Sequence, residues 1–367
     1  MRVVAVSTWF PTSVAPSSGA FVVKDALAIA SLGHDVRVVH LVPPHQDDGT
    51  RSLVHEGLPV RRVPMGTTNP LDVVRAARAL TPLLAGGDLV HSMAISSLLP
   101  LSLHRPAAPW VHTEHWSGLT SPQNLPATWR RALPVVSRVL RRPDVVTAVC
   151  EFLAQPIRAV RGPRPTRVVP CIVETPEPLP PRPARADVLR LVSVGGLIDR
   201  KDPVTAVETV AELERRGTPA ELVLVGEGEL RAAVVQRSEE LGIAHRVRLT
   251  GSLPRPAVLA ELAAADLFLG PTKGDNFFVS AAEAIVSGRP VVVGATGGQG
   301  EYIDPRVGEL VAEQTPAAYA DAVLRVEAAT RDLSAEEISA TIGDRFSVPA
   351  VADGYERAYC AARELRP

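Results

Sequence analysis

Residues 270–302, GPTKGDNFFVSAAEAIVSGRPVVVGATGGQGEY, place the strongest constraint on the fold of this chain. They predict the end of a strand, a loop, a helix from about Phe278 to Ser287, a second strand and a second loop. Gly288 is the expected helix stop. A loop that enters a helix N-terminus presents N–H groups and the positive end of the helix dipole, an arrangement that suits a phosphate.

Polar groups and glycines flank this predicted helix. Asp275 and Glu283 stand eight residues apart, and the pair Gly297 and Gly298 offers a second stretch of backbone without side chains. Carboxylates repel phosphates, so hydroxyl groups are their natural targets beside a phosphate site. A phosphate together with hydroxyls indicates a sugar nucleotide. The alternative is an ordinary strand–helix unit with a glycine stop and a turn.

The spacing of these residues resembles a known donor site. The pattern is similar to the donor site of the retaining glycosyltransferases of family 4. It consists of an acid, seven other residues and Glu-Ala, followed by Gly-x-Pro-Val-Val and Gly-Gly-x-x-Glu. The resemblance implies an α/β protein of GT-B fold, with two Rossmann-like domains facing across a cleft and a C-terminal helix crossing back to the first domain. It also implies transfer of a sugar from a nucleoside diphosphate sugar to an acceptor hydroxyl, with retained configuration and no metal or other cofactor.

The composition limits the binding partners and the cellular compartment that are expected for this protein. The 367 residues allow two domains, and a net charge of −1 gives no reason to expect nucleic acid. Three widely spaced cysteines without metal-ligand spacing fit a reducing cytosol. Neither a signal peptide nor a run of membrane-spanning length is apparent, so a cytoplasmic protein is expected. Abundant arginine and 34 prolines are consistent with a high-GC bacterial source.

The chain order predicts domain limits. An N-terminal Rossmann-like acceptor domain is expected at 1–174, and the proline-rich run TPEPLPPRPARAD at 175–187 is the predicted linker. The donor domain is expected at 188–347. The last segment, 348–367, is expected to pack as a helix on the first domain.

The first predicted βαβ unit begins with a strand at 3–7 and continues through a loop that contains Gly19. Ligands of parallel sheets bind at the carboxyl ends of strands. The resemblance implies that Gly19 lies against the donor diphosphate, although a flexible turn glycine is the alternative. Trp9 and Trp116 follow predicted strand ends and are tentative acceptor contacts, because flat aromatic faces suit sugar rings.

A histidine after the strand that ends in HTEHWSG matches the family's active-site histidine. This histidine is His115, and the resemblance implies that its side chain faces the transferred sugar. His112, three residues earlier and within the predicted strand, is the competing candidate.

Lys201 matches a family lysine that neutralises the leaving diphosphate. It is one of only three lysines among 39 basic residues. The preceding arginine of the family is absent, because Gly196 stands in its place. Arg200 could supply the missing charge.

The resemblance assigns further residues by position. The implied catalytic residues are His115, Lys201 and Asp275. The implied diphosphate and sugar contacts are Gly19, Arg200, Asn276, Phe277, Phe278, Val279, Gly297 and Gly298. The implied nucleoside contacts are Glu283, Ser252, Leu253 and Gly226.

Two departures leave the donor sugar open. Asp275 stands where Glu is usual, and Phe278 where Gly is frequent. Because Asp is one methylene shorter, it suits either a bulkier substituent on the sugar or a shifted loop. The donor is expected to differ from plain glucose, with Phe277 and Phe278 as a wall against its substituent.

The acceptor could be a small molecule, a glycan or a lipid-linked compound of natural-product, cell-wall or polysaccharide synthesis. The basic stretch 129–142, WRRALPVVSRVLRR, could meet an anionic lipid or a phosphorylated acceptor, or it could be a solvated helix face. A nucleotide-sugar epimerase and a non-catalytic sugar-nucleotide binding protein are the rival functions. A dinucleotide oxidoreductase is disfavoured, because no loop has the full glycine pattern.

Overall fold

The computed structural model describes residues 1–184 and 186–366, so Arg185 of the predicted linker and Pro367 at the C-terminus lie outside the described residues. The chain forms two compact units. Unit 1 comprises Met1–Ile172 and Val348–Pro367, and unit 2 comprises Val173–Ser347. Among the described residues, no helix combines the length and the apolar character needed to cross a membrane.

Unit 1 contains an eight-stranded sheet in the order β3-β4-β2-β1-β5-β6-β7-β8. All neighbouring pairs are parallel except β3 and β4. Its strands are β1 (Arg2–Ser7), β2 (Asp35–Val42), β3 (Ser52–His55), β4 (Leu58–Pro64), β5 (Leu89–Met93), β6 (Trp110–Glu114), β7 (Val145–Ala148) and β8 (Thr166–Val168). Long valine-rich runs form the central strands, because helices cover both faces of a parallel sheet.

Unit 2 contains a six-stranded, wholly parallel sheet in the order β11-β10-β9-β12-β13-β14. Its strands are β9 (Leu189–Val194), β10 (Ala220–Val225), β11 (Val247–Gly251), β12 (Leu267–Gly270), β13 (Val291–Gly294) and β14 (Gly308–Val311). The neighbouring strands β9 and β12 occupy its centre, and the two loops that leave their carboxyl ends carry the candidate donor residues.

The helices alternate with the strands in both units. They are α1 (Ala20–Ser31), α2 (Pro70–Leu84), α3 (Leu98–Leu103), α4 (Ala127–Val136), α5 (Glu151–Arg161), α6 (Pro203–Arg215), α7 (Arg231–Glu240), α8 (Arg255–Ala264), α9 (Val279–Val286), α10 (Pro316–Thr330), α11 (Ala335–Ser339) and α12 (Val348–Glu364). The predicted helix at 278–287 is confirmed as α9, which Phe278 precedes and Gly288 follows.

The last helix, α12, is part of unit 1, as the resemblance implied. Val351, Tyr355, Ala358, Tyr359 and Ala362 recur at helical spacing and are almost completely buried. They join the core that contains Val3 and Ala5 of β1 and the apolar residues of α1. Burial of this stripe fixes the C-terminal helix in unit 1.

The proline-rich run forms no helix or strand over its described residues. It belongs to unit 2 and is bonded to the rest of that unit through a main-chain carbonyl and a side chain. The Arg289 guanidinium donates to the carbonyl of Pro181 at 2.8 Å, and Arg182 donates to the carbonyl of Leu333 at 3.1 Å.

Candidate active site

Two loops of unit 2 meet beyond the carboxyl ends of β9 and β12. The loop after β9 contains a 3-10 turn, Asp199–Lys201, and the loop after β12 contains Asp275. Lys273 N–H donates to the carbonyl of Arg200 at 2.9 Å, and the Thr272 hydroxyl donates to the same carbonyl at 3.1 Å. These bonds hold the 3-10 turn against the second loop and bring its cationic side chains to Asp275.

Asp275 joins both cations through one carboxylate oxygen. Its Oδ2 lies 2.6 Å from Lys201 Nζ and 2.7 Å from Arg200 Nη1. Its Oδ1 accepts a hydrogen bond from the N–H of Phe278 at 3.1 Å, at the entry to α9. The sequence predicted each of these residues, and the structure brings them together in one cluster.

The surroundings of this cluster change the pKa values of its members. Burial raises the pKa of the Asp275 carboxyl, but the nearby charges and hydrogen bonds of Lys201 and Arg200 outweigh burial and hold it at about 2. Burial also lowers the pKa of Lys201, while Asp275 opposes that shift. Asp275 is therefore ionised at neutral pH. Its ion pairs stabilise the fold above the ordinary carboxyl pKa and are lost as pH falls toward 2.

Phe278, where the family often has glycine, has a backbone conformation that glycine adopts more easily. Its φ is +54° and its ψ is +63°, a left-handed conformation that costs a non-glycine residue about 1–2 kcal/mol. The Tyr302 hydroxyl donates to the Phe278 carbonyl at 2.9 Å and holds this conformation. The ring lies over the ammonium group, with Lys201 Nζ 3.6 Å from its centroid. Phe278 thus forms one side of the lysine pocket.

Phe277 does not form the wall that the sequence predicted. Its ring is buried and packs against Tyr302 and Phe346, with centroids 5.3 and 4.9 Å apart. The expectation of a two-phenylalanine wall is therefore wrong for Phe277. Its ring belongs to an aromatic cluster of unit 2 formed with Tyr302 and Phe346.

The glycine pair packs against the Asp275 loop. Gly297 forms a bridge with Asp275, and a Cβ at Gly297 would collide with the carbonyl oxygen of Asp275. The N–H of Gly298 donates to that same carbonyl at 3.1 Å. The pair therefore has a packing reason independent of any ligand, and its contact with a diphosphate remains a prediction.

The other donor-loop residues lie at the helix entry. Asn276 is buried beside Asp275, and Val279 is the first residue of α9. Both lie where the resemblance places diphosphate contacts. Their role toward a phosphate remains a prediction.

Glu283 lies on α9 and has a partner that the sequence did not reveal. Its Oε1 accepts from Arg255 Nη1 at 2.8 Å, and its side chain is 15% exposed. Arg255 is the first residue of α8, 28 positions earlier in the chain. No sequence signal marks this pair, because it depends on how α8 and α9 pack. A ribose that binds Glu283 would share the carboxylate with Arg255.

Replacement of Glu283 by Gln should weaken nucleotide binding. A charge-assisted hydrogen bond contributes about 1.5–3 kcal/mol, or roughly tenfold to a hundredfold in Kd. Calorimetry with UDP and GDP measures the effect. Arg255→Gln is the matched control, since it breaks the same ion pair but keeps the carboxylate. An unchanged Kd in Glu283→Gln, or equal losses in both variants, contradicts the ribose role.

The remaining nucleoside candidates lie near the β10 and β11 ends. Gly226 has φ +142°, and a Cβ there would collide with the carbonyl of Gly195. Ser252 is exposed and Leu253 half-buried directly after β11. Their positions are consistent with a base contact, which remains a prediction.

Gly196 has room for a side chain. A Cβ at this glycine would meet its nearest atom, the carbonyl oxygen of Glu227, at an ordinary 3.6 Å. Packing therefore does not exclude an arginine at 196. The second cation beside Asp275 is Arg200, whose Nη1 also donates to the Gly274 carbonyl at 3.0 Å.

In unit 1 the two candidate histidines, one within β6 and one directly after it, have different surroundings. His112 is fully buried within β6, where Nδ1 lies 2.9 Å from Ser92 Oγ and Nε2 lies 3.2 Å from Glu114 Oε2. His115 follows the strand, and its side chain is 16% exposed. The geometry favours His115 as the group that can reach a ligand. Burial lowers its pKa to about 4, so its imidazole is neutral at pH 7.

An aromatic surface continues from His115. The ring of Phe21 lies 4.3 Å from the His115 ring, and Trp9 lies 6.4 Å from Phe21 between centroids. Trp9 is 49% exposed. Gly19 begins α1 with φ +68°, where a Cβ would collide with the Trp9 backbone. The Trp116 ring lies over Gly118.

Two family models match most of the chain between them. One, described as glycosyl transferases group 1, matches residues 180–339, and a glycosyl transferase 4-like domain matches residues 18–171. The chain belongs to the GT-B glycosyltransferases. The matched segments correspond to units 2 and 1.

Curated relatives cover part of the chain. It is 30% identical over 217 residues to a 2-deoxystreptamine glucosyltransferase of Streptomyces kanamyceticus, covering 54% of this chain and 56% of the relative. It is 30% identical over 192 residues to a GDP-mannose-dependent α-(1-6)-phosphatidylinositol monomannoside mannosyltransferase of Mycobacterium tuberculosis, covering 47% and 50%. The chain thus spans about half the length of these curated relatives.

Solved structures confirm the predicted fold class. A sucrose-phosphate synthase from Thermosynechococcus elongatus aligns with a TM-score of 0.79 at 22% identity, covering 100% of this chain and 99% of that one. Anabaena HepE, solved in complex with UDP and glucose, aligns with a TM-score of 0.74 at 18% identity, covering 98% and 99%. These likenesses establish the GT-B fold.

Proposed function

We propose that this protein is a retaining glycosyltransferase that moves a hexose from a nucleoside diphosphate sugar to an acceptor hydroxyl. The bond between the sugar C1 and the β-phosphate oxygen breaks, and a bond between C1 and the acceptor oxygen forms. The acceptor proton goes to the leaving diphosphate. The cluster of Asp275, Lys201 and Arg200 beside the entry to α9 is the observation that supports this proposal.

The leaving diphosphate gains negative charge as the C1–O bond breaks. Lys201 and Arg200 are two cations in a half-buried pocket, where electrostatic interactions are stronger than in bulk water. The Asp275 carboxylate offsets one of these two positive charges, so the cluster retains net positive charge. A diphosphate would complete the balance without a metal ion.

The direct test is transfer itself. UDP-glucose and GDP-mannose are the first donors, because relatives and structural neighbours carry glucose, mannose and UDP in their names. 2-Deoxystreptamine and inositol 3-phosphate are the first acceptors for the same reason. Proton NMR of the product should show the anomeric configuration of the donor, with an unchanged rate in EDTA. An inverted product contradicts retention.

The two rival functions give different products. Free sugar or an epimerised donor in the absence of acceptor identifies an epimerase. Nucleotide binding without turnover across donors and acceptors identifies a binding protein.

We expect Asp275→Glu to alter donor preference. A carboxylate one methylene longer moves toward the sugar and away from its present place beside Lys201, so relative activity should shift toward glucose donors. Asp275→Asn should lower activity on every donor, because it removes the counter-ion that orders both cations. Competition between UDP-glucose and UDP-N-acetylglucosamine measures the ranking. A parent that prefers plain glucose, or an unchanged ranking, contradicts the specificity role.

A basic surface in unit 1 supports contact with an anionic membrane. It comprises Arg130, Arg131, Arg138, Arg141 and Arg142, with exposed Trp129 and Val135. No residue of α4 is buried, and the stretch 127–142 contains no acidic residue. An exposed aromatic beside cations suits the headgroup region of a bilayer. Within the described residues, Cys150, Cys171 and Cys360 form no disulfide bond, which supports the proposed cytoplasmic location.

Vesicle sedimentation tests this surface. The chain should bind phosphatidylglycerol vesicles more than phosphatidylcholine vesicles at low salt and lose that binding in high salt. The variant R130Q/R131Q/R138Q/R142Q should lose it as well. The variant R61Q/R78Q/R167Q/R363Q removes equal charge from other exposed sites of unit 1 and should retain it. Equal binding by both variants contradicts the proposed surface.

A further inference from the structure

Asp25 is a buried carboxyl group that the sequence analysis did not single out. It lies on α1 and is 2% exposed. Among the described residues its Oδ2 has no hydrogen-bond partner. Burial raises its pKa to about 7, although the Tyr355 hydroxyl and the charge of Lys24 oppose that shift. Burial of a carboxyl oxygen without a hydrogen-bond partner is costly, and carboxyl groups with shifted pKa values cluster at functional sites.

The carboxyl is held in place from the side of α12. Tyr355 forms side-chain hydrogen bonds with Asp25 and Thr113. Thr113 Oγ1 in turn lies 2.6 Å from His91 Nε2, and His91 Nδ1 lies 2.7 Å from the Tyr359 hydroxyl. This buried network links α1, β5, β6 and α12. The position of Asp25 is thus fixed by the core of unit 1.

Two consecutive turns of α1 face the imidazole of His115. The ring of Phe21 lies 4.3 Å from the His115 ring, and Asp25 Oδ2, one turn later, lies 3.8 Å from His115 Nε2. The main chain of His115 is fixed separately, since its N–H donates to Glu114 Oε1 at 2.9 Å. Backbone and ring therefore have different supports, and the ring is oriented by α1.

We propose that Asp25 is a positioning residue for His115: its carboxyl accepts from Nε2–H when the donor is bound, and so fixes the ring plane and the tautomer. Catalytic hydrogen bonds in unliganded proteins are often longer than in the reactive complex, and 3.8 Å needs only a small ring movement to close. Nε2–H at Asp25 leaves Nδ1 as the unprotonated nitrogen. This inference rests on the proposed function of His115.

Asp25→Asn tests the proposal with little change of shape. The variant should keep the melting temperature of the parent, because a neutral amide replaces a buried carboxyl. Its kcat should fall about tenfold to a hundredfold, while the KM for the donor stays within twofold. In the His115→Ala background the same change should have no further effect, since Asp25 acts through the ring.

A second readout does not depend on turnover. Long-range nitrogen–proton NMR on histidine-labelled protein reports the tautomer of His115, which His115→Ala assigns among the nine histidines. The parent should show Nε2–H, and Asp25→Asn should reduce its population. Asp144→Asn is the matched control. It is a buried carboxyl of unit 1 that bonds the start of β6 and should change stability but not the tautomer.

The outcomes separate this inference from the function it rests on. If Asp25→Asn has the kcat and the His115 tautomer of the parent while His115→Ala is inactive, the role of Asp25 is overturned and that of His115 is not. Parent activity in His115→Ala overturns the proposed role of the histidine itself. Additive losses in the double variant, or a lowered melting temperature in Asp25→Asn with kcat unchanged, identify a purely structural carboxyl.

Discussion

Lys201→Ala should lower the turnover of the enzyme at least about a hundredfold, the scale for removal of one group that stabilises a developing charge. Lys201 Nζ lies 2.6 Å from Asp275 Oδ2 and 3.6 Å from the Phe278 ring centroid, so the ammonium is held by two independent contacts. Without it, Arg200 is the one remaining cation of the cluster, and it is paired with the Asp275 carboxylate. The variant therefore removes the positive charge that would attract the leaving diphosphate.

Lys273→Ala is the matched control for this prediction. Lys273 stands on the Asp275 loop, and its Nζ lies 2.7 Å from Asp199 Oδ1 at the surface. Its loss removes an equal charge from the same pair of loops but not from the cluster. Turnover should stay within a fewfold of the parent. Equal losses in the two variants, or near-parent turnover in Lys201→Ala, contradict the role of Lys201.

His115→Ala should reduce transfer to less than about a hundredth of the parent rate while the Kd for UDP or GDP stays nearly unchanged. His115 belongs to unit 1, whereas every proposed nucleoside contact belongs to unit 2. The imidazole is neutral at pH 7, and with Nε2–H directed at Asp25 its Nδ1 can accept one hydrogen bond from a sugar hydroxyl. Steady-state rates and calorimetry on the same preparation separate the two effects.

His112 is the competing residue in this experiment. Both of its ring nitrogens already have buried partners, so His112→Ala should lower the melting temperature by opening a cavity in the sheet. A folded His112→Ala protein with transfer abolished, beside an active His115→Ala protein, would show that the other histidine does the chemistry.

Much of the fold was predictable, because strands and helices follow from local patterns. A short apolar run predicted the strand at 3–7, which the structure shows as β1, and the helix expected in the last segment is α12. The family match over most of the chain agrees with the fold that the residues near Asp275 indicated.

The side-chain partners of the site could not be predicted. The sequence placed Glu283 on a helix, but its pairing with Arg255 depends on the packing of two helices. The sequence indicated Arg200 as a possible cation, but the contact of its guanidinium with Asp275 depends on the 3-10 turn. Phe277 was misjudged for the same reason, since loop residues have no periodicity from which the direction of a ring can be derived.

Asp25 was missed because nothing in its sequence context marks it. It lies within an ordinary amphipathic helix, and the neighbouring Lys24 suggests a solvated face. Its proximity to His115 arises from the parallel order of β1 and β6 around β5, which brings α1 to the end of β6. Tertiary packing alone creates that contact.

The central claim is that unit 2 binds a nucleoside diphosphate sugar through Lys201 and Glu283. The most direct test is a comparison of melting temperatures. The parent, Lys201→Ala and Glu283→Gln are each measured with a panel of uridine, guanosine, adenosine and thymidine diphosphate sugars. A ligand at a hundred times its Kd stabilises a protein by about 2.7 kcal/mol, which a thermal scan detects. At least one sugar nucleotide should raise the melting temperature of the parent, and both variants should lose most of that shift. No shift with any member of the panel, or equal shifts in all three proteins, would contradict the account.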